Sequence, residues 1–163
     1  MNAKVMVEER GTSLVEILVV LGAFAALFVI AVPGLTRARA RVEASAARQA
    51  FAASHALARQ IAAQYGRLSY LHVDPQSNRF WVTSDTSNSP GRVAIDTIGP
   101  IVRVDDRFAG VTLEGTARTF CFDPRGLATA RGACGLPNAT VVFRAGSVAD
   151  TVTISRLGRL LKR

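Results

Sequence analysis

The chain has 163 residues and a formal charge of +8, and its 49% hydrophobic content is high for a small soluble domain. That length holds one modest domain plus an appendage. Its two cysteines, Cys121 and Cys134, have only His55 and His72 to join them, which argues against a four-ligand metal centre; no cofactor is expected.

Most of the apolar excess lies between Leu14 and Leu35, with Ile17 to Val32 forming the unbroken run ILVVLGAFAALFVIAV. A spanning helix needs roughly 20 residues at about 1.5 Å each, so this stretch is long enough to cross a bilayer. Glu16 interrupts the pattern near its start. A lone carboxylate in lipid costs a few kcal/mol and calls for a partner. Three plainer readings compete: a cleaved secretory signal, a simple single-pass anchor, and a buried core helix. The run is long for a signal's apolar core, no good small-residue cleavage site follows it, and its length disfavours a core helix. Arg37, Arg39, Arg41 and Arg48 follow the run, while Lys4 and Arg10 before it are offset by Glu8 and Glu9. The positive-inside rule alone would put the Arg-rich side in the cytoplasm, so charge does not settle topology.

The residues RGTSLVEILVVLGAFAALFVIAVPGL resemble the type III signal and N-terminal helix of type IV pilins and type II secretion pseudopilins. That resemblance implies a leader over 1–11, a transmembrane and assembly helix over 12–35, and cleavage after Gly11 by a prepilin peptidase. Thr12 then becomes the first mature residue, a site of N-methylation, and Glu16 the fifth. Glu16 is implied to pair with the N-terminal amine of a neighbouring subunit, and Pro33 sits where the family places a proline. The physics agrees: a buried carboxylate is tolerable beside a fixed cation, so the pair can set axial register. Thr12 replaces the usual Phe or Met, and Glu8 and Glu9 dilute a leader that is normally basic. The implied location is the bacterial inner membrane, crossed once, with the globular part in the periplasm or on the cell surface. The implied partners are the peptidase, the membrane, and other pilin or pseudopilin subunits.

Over 36–65 the chain reads as an amphipathic continuation of the helix. Val42, Ala46, Ala50, Ala53, Leu57 and Ile61 recur at helical spacing with Phe51 beside them, and Arg37, Arg41, Arg48 and Arg59 fall on other faces. Pro33-Gly34 is a candidate kink or local melting point.

Over 66–163 the pattern changes to short β runs: SYLHV, RFWVTS, RVAI, IVRV, GVTL, RTFCF, ATVVFR and DTVTIS. Turn-forming segments such as DPQSN, DPRG and RAGSVA separate them. The expectation is an α+β fold: a long N-terminal helix packed on an antiparallel β domain, in two sheets. Outside the cytoplasm, Cys121 and Cys134 read best as a disulfide; two unrelated buried thiols are the alternative.

The run TFCFDPRGLA and the closing VTISRLGRLLKR resemble the C-terminal domain of the GspH/FimT group of minor pilins and pseudopilins, with its F-x-P-x-G turn and its serine followed by GR. A minor structural subunit of a type IV pilus or type II secretion pseudopilus is what that resemblance implies. The alternative is a DNA-binding minor pilin acting in DNA uptake, with double-stranded DNA as partner. Arg156, Arg159, Lys162 and Arg163 are similar to the basic tail of such pilins, and basic tails neutralise phosphates without reading bases. A solvated basic end, or a contact with acidic neighbours, is the plainer reading. Neither histidine lies in a metal-ligand or nucleophile pattern, so no enzyme is expected.

Overall fold

The computed structural model describes residues 13–87, 92–130, 134 and 138–162. Gly11, Thr12 and Arg163 lie outside the described residues. The chain divides into two compact units, one up to Thr36 and the other Arg37–Arg163.

Helix α1 runs Leu14–Tyr65 and passes through Pro33 and Gly34 without interruption. The expected melting point is therefore helical. Pro33 has no N–H to give the preceding turn, and its own carbonyl accepts a hydrogen bond from Thr36 Oγ1 at 3.0 Å. In the first unit, apolar side chains such as Leu14, Val19, Leu27 and Val29 are exposed on every side of the helix. In water that surface would be strongly unfavourable, whereas in lipid it is matched.

The second unit holds the core. Strands β1 (Ser69–Asp74), β2 (Arg79–Asp85), β3 (Ile95–Arg103), β5 (Arg118–Phe122) and β6 (Ala128–Thr129) make one antiparallel sheet in the order β3-β2-β1-β5-β6. Strands β4 (Val111–Glu114), β7 (Ala139–Ala145), β8 (Val148–Ile154) and β9 (Leu160–Lys162) make the second, in the order β4-β7-β8-β9. A single turn, α2 (Val104–Arg107), precedes β4. Strand alternation decides what goes inside. Leu71, Phe80, Val82, Phe120 and Phe122 point inward from the first sheet, and Val111, Leu113, Val141, Phe143, Val152 and Ile154 from the second.

The C-terminal half of α1 covers both sheets. Phe51 is fully buried and meets Phe80 of one sheet at 5.4 Å and Phe143 of the other at 5.7 Å. The buried face is Ala44, Ala47, Arg48, Phe51, His55, Ala58, Ile61 and Ala62. This corrects the expected stripe: Val42 and Ala53 are exposed, and Ala46, Ala50 and Leu57 are half-buried. An alanine-rich helix offers an apolar stripe on almost any face. Phe51, the one phenylalanine in this half, has the most area to bury and fixes the orientation.

Two arginines expected on outer faces are structural instead. Arg48 is buried and pairs with Asp150 of β8 at 2.7 Å. Arg59 donates from Nε to the Gly126 carbonyl at 2.8 Å. Asp150 stands opposite Phe143 in the β7–β8 register, so it faces the core side and needs a cation there.

The strand expectations hold for six of the eight runs in place. RVAI and IVRV are not separate strands. Ile95 to Arg103 form one continuous β3, and Val104 already belongs to α2. Gly99 at φ +77 lets β3 pass close to the helix, where an added Cβ would sit 3.0 Å from Leu57 Cδ2. Strands β6 and β9 fall outside the eight runs. The first is only two residues long, and the second lies among the C-terminal basic residues.

Candidate functional site

Glu16 lies in the first turn of α1, where the Ser13 carbonyl accepts the Glu16 amide at 2.9 Å and the Ile17 amide at 3.3 Å. The helix dipole favours a carboxylate at this end. Its side chain is exposed, flanked by exposed Val15 and Ile17, and meets no cation among the described residues. Among the described residues, the apolar rod therefore carries one unpartnered carboxylate near its start.

The cysteines are joined. Cys121 on β5 bonds Cys134 with a Cα–Cα distance of 5.6 Å, closing a loop of sequence separation 13. A loop of that size stabilises the fold by about 3 kcal/mol in the chain-entropy model.

The two C-terminal motifs converge on the helix. In the DPRG turn, Asp123 Oδ1 accepts the amides of Arg125 at 2.9 Å and Leu127 at 3.0 Å. Desolvation works against the Asp123 carboxylate, yet these bonds and the Arg125 guanidinium leave its pKa lowered. Gly126, which ends the turn, takes the Arg59 bond. Between β8 and β9, Ser155 closes a second turn: its Oγ accepts the Arg159 amide at 3.0 Å, and its carbonyl accepts the Gly158 amide at 2.8 Å. Gly158 has φ +75, and a Cβ there would lie 2.9 Å from Ala128 N and 3.2 Å from Phe122. Only glycine fits. The serine and glycine of the closing motif thus key this turn into the groove beside Phe122.

His55 lies at the same place, buried, with its ring edge-on to Phe122 at 5.1 Å. Burial, with a contribution from the Arg59 charge, lowers its pKa to about 4, against the opposing pull of the Gly158 backbone carbonyl, which favours the protonated ring. The imidazole is therefore neutral at pH 7, and its Nε2 has no hydrogen-bond partner among the described residues. It acts as packing under the turn.

That turn presents Arg156, Leu157 and Arg159 exposed, and neither arginine has an ion pair among the described residues. Lys162 lies in β9, opposite Val152 in the register. The basic end is thus not a free tail over 160–162 but an edge strand on β8.

The outer face of the first sheet carries a group that sequence reasoning passed over. Tyr70, His72 and Trp81 form a row, with Tyr70–His72 at 6.3 Å and 26° and His72–Trp81 at 4.9 Å and 17°. His72 and Trp81 are directly cross-strand. Thr119 Oγ1 at 3.1 Å and Thr83 Oγ1 at 2.9 Å hold the two His72 nitrogens, and burial lowers the pKa of His72. The signal was in the alternation: SYLHV and RFWVTS put aromatic residues at the non-core positions of neighbouring strands. Among the described residues, no three His, Cys, Asp or Glu side chains converge to hold a metal.

Comparison with known proteins places this architecture. The family model described as type II transport protein GspH matches residues 47–158. The type IV minor pilin FimU of Pseudomonas aeruginosa PAO1 is similar in structure, with a TM-score of 0.54 at 16% identity over 76% of this chain and 90% of that one. The minor pseudopilin EpsH from the type 2 secretion system of Vibrio cholerae has a TM-score of 0.48 at 16% identity, over 74% of this chain and 96% of that one. No curated protein matches the chain. The family match takes in the amphipathic helix from Ala47 on, strands β1 to β8 and the turn as far as Gly158, and by it the chain belongs to the GspH family of minor pilin-like proteins.

Proposed function

We propose that the chain is a minor structural subunit of a type IV pilus or type II secretion pseudopilus, made as a precursor and cut after Gly11 by a prepilin peptidase. The single observation that carries this reading is the exposed apolar helix with one carboxylate, Glu16, in its first turn. Cleavage gives Thr12 a free amine, a site for N-methylation, and that amine on a neighbouring subunit supplies the cation Glu16 lacks among the described residues. The pair is worth most where lipid or packed helices exclude water, because an unmet charge there is heavily penalised. Helix α1 anchors the subunit in the inner membrane by a single pass, with the disulfide-bearing domain on the oxidising side. Pro33 lies in the same apolar unit, where its missing N–H eases local adjustment as helices pack.

In cells expressing the other subunits, Gly11→Ala leaves the chain at precursor mass on a denaturing gel. Glu16→Ala is cut normally, yet its recovery in sheared filaments or pseudopili falls at least about tenfold, as expected for an unpaired buried charge partner. Normal processing of Gly11→Ala would overturn the reading.

One observation favours DNA binding as a second reading: Arg156 and Arg159 stand exposed on a hydrogen-bonded turn with no acidic partner among the described residues. Duplex DNA then binds by counterion release. For the full chain in neutral detergent, replacing Arg159, Lys162 and Arg163 by Ala lowers the log–log salt slope of duplex binding by about 3. An unchanged slope counts against this site.

A further inference from the structure

Beside the Tyr70–His72–Trp81 row lies an open cleft of about 500 Å³, lined by His72, Asp74, Trp81, Ala117, Arg118 and Thr119 among others. Its polar groups are unequally committed. Asp74 is spent: Oδ1 accepts the amides of Gln76 at 3.2 Å and Ser77 at 3.3 Å, and Oδ2 pairs with Arg79 at 3.5 Å. His72 is spent too, with both nitrogens held by threonine hydroxyls. Arg118 is not. It is exposed and gives only its Nε, to Thr116 Oγ1 at 3.2 Å, so its terminal nitrogens find no acceptor among the described residues. Arg79, outside the cleft lining, is spent on its neighbours: its Nε faces Asp74 Oδ2 at 3.5 Å and its guanidinium lies 4.9 Å from the Trp81 ring centroid.

Such a cleft selects a ligand that brings its own acceptors and a flat ring. Neutral sugars need acceptors for their hydroxyls, and the only carboxylate here is already occupied. A nucleotide supplies both missing parts: a base that extends the row of planar groups, and a phosphate for the free Arg118 nitrogens. Duplex DNA keeps its bases stacked inward and cannot offer a ring face, so the strand must be single. The chain's +8 charge adds a general attraction for such a polyanion. Because His72 is clamped from both sides, the row is rigid before the ligand arrives, which lowers the ordering cost of binding.

We propose that this cleft on the outer face of the first sheet binds single-stranded nucleic acid, with a base against the Trp81 row and a phosphate on Arg118. The site is separate in sequence and in sheet from the Arg156–Arg159 turn.

Trp81 is the chain's one tryptophan, so its fluorescence reports on this cleft alone. Full-length protein in neutral detergent is titrated with a 12-nucleotide oligothymidylate at low salt, following Trp81 emission and, with a labelled strand, anisotropy. Saturable quenching with the anisotropy midpoint is expected. Arg118→Ala, an exposed substitution that leaves the core untouched, weakens binding about fivefold, and Trp81→Leu about tenfold. The Arg159, Lys162 and Arg163 triple replacement keeps the quenching. An anisotropy change without quenching, or unaltered affinity in Arg118→Ala, overturns the proposal. So does quenching by an alginate oligosaccharide but not by the oligonucleotide, which would make this an acidic-glycan site.

Discussion

Asp150→Ala destabilises the chain by about 3 kcal/mol, the low end of what breaking a buried ion pair costs. The substitution strands the Arg48 guanidinium under helix α1 with only the Ser45 hydroxyl, at 3.3 Å, for company. Both charged side chains are largely shielded, at 11% and 19% exposure, so water does little to compensate. For a chain of this size the loss lowers the unfolding temperature by roughly 6–12 °C, measured by circular dichroism in neutral detergent. The pair joins the helix to the second sheet, and its value lies in not leaving either charge alone. Accordingly, Arg48→Met combined with Asp150→Leu recovers most of the loss, because apolar replacements of similar size are often neutral. A single Asp150→Ala variant as stable as the parent would mean the helix can lift to let water reach Arg48.

Acid weakens the domain before its carboxylates titrate. Unfolded His55 takes up a proton near its ordinary pKa of 6.5, whereas the folded protein holds the same group at about 4. Between those values the unfolded state binds more protons, so stability is complete above about pH 6.5 and falls as pH drops toward 4. At about 1.4 kcal/mol per unit, the window is worth roughly 3 kcal/mol. His72, also lowered by burial, adds to the loss with the same sign. Asp74 and Asp123 have lowered pKa values, and their contributions are lost only at lower pH, so they do not mask the effect. Unfolding temperature measured from pH 7.5 to 4.5 falls steadily in the parent. His55→Leu flattens the greater part of that decline, and His72→Gln the remainder. A parent curve level down to pH 5 would show that His55 is hydrated in solution. Because His55 packs on Phe122 beside Gly158, its protonation loosens the turn that carries Arg156 and Arg159.

The parts of this fold governed by local pattern were legible in the sequence. The apolar run, the helix reaching Tyr65, and six of the β runs follow from composition and periodicity over several residues. The parts set by long-range packing were not. Alanine fits any helix face, so nothing local distinguished Ala46 from Ala47; Phe51 made the choice, once two sheets supplied Phe80 and Phe143. Arg48 looked like surface because arginine usually is, and only Asp150, 102 positions away, explains its burial. Strand β9 is masked by charge: Leu160 and Leu161 pair with β8, while the basic residues around them point to phosphate binding. In sequence the glycine and serine of the closing motif carry only a family pattern. Their physical work, a left-handed residue wedged against Phe122 and a hydroxyl closing the turn, is set by packing between distant segments.

The wedge at Gly158 also has a bearing on timing. The groups it locks together, His55 of the helix and Phe122 and Ala128 of the first sheet, are all synthesised before it. A nascent chain can form the helix and pair β1 with β2 early, but the groove beside Phe122 stays open until residues 155–162 arrive and add β9 to β8. Completion of the core is thus deferred to the last strand. During that interval Cys121 and Cys134, the two ends of the disulfide, are both already in the chain.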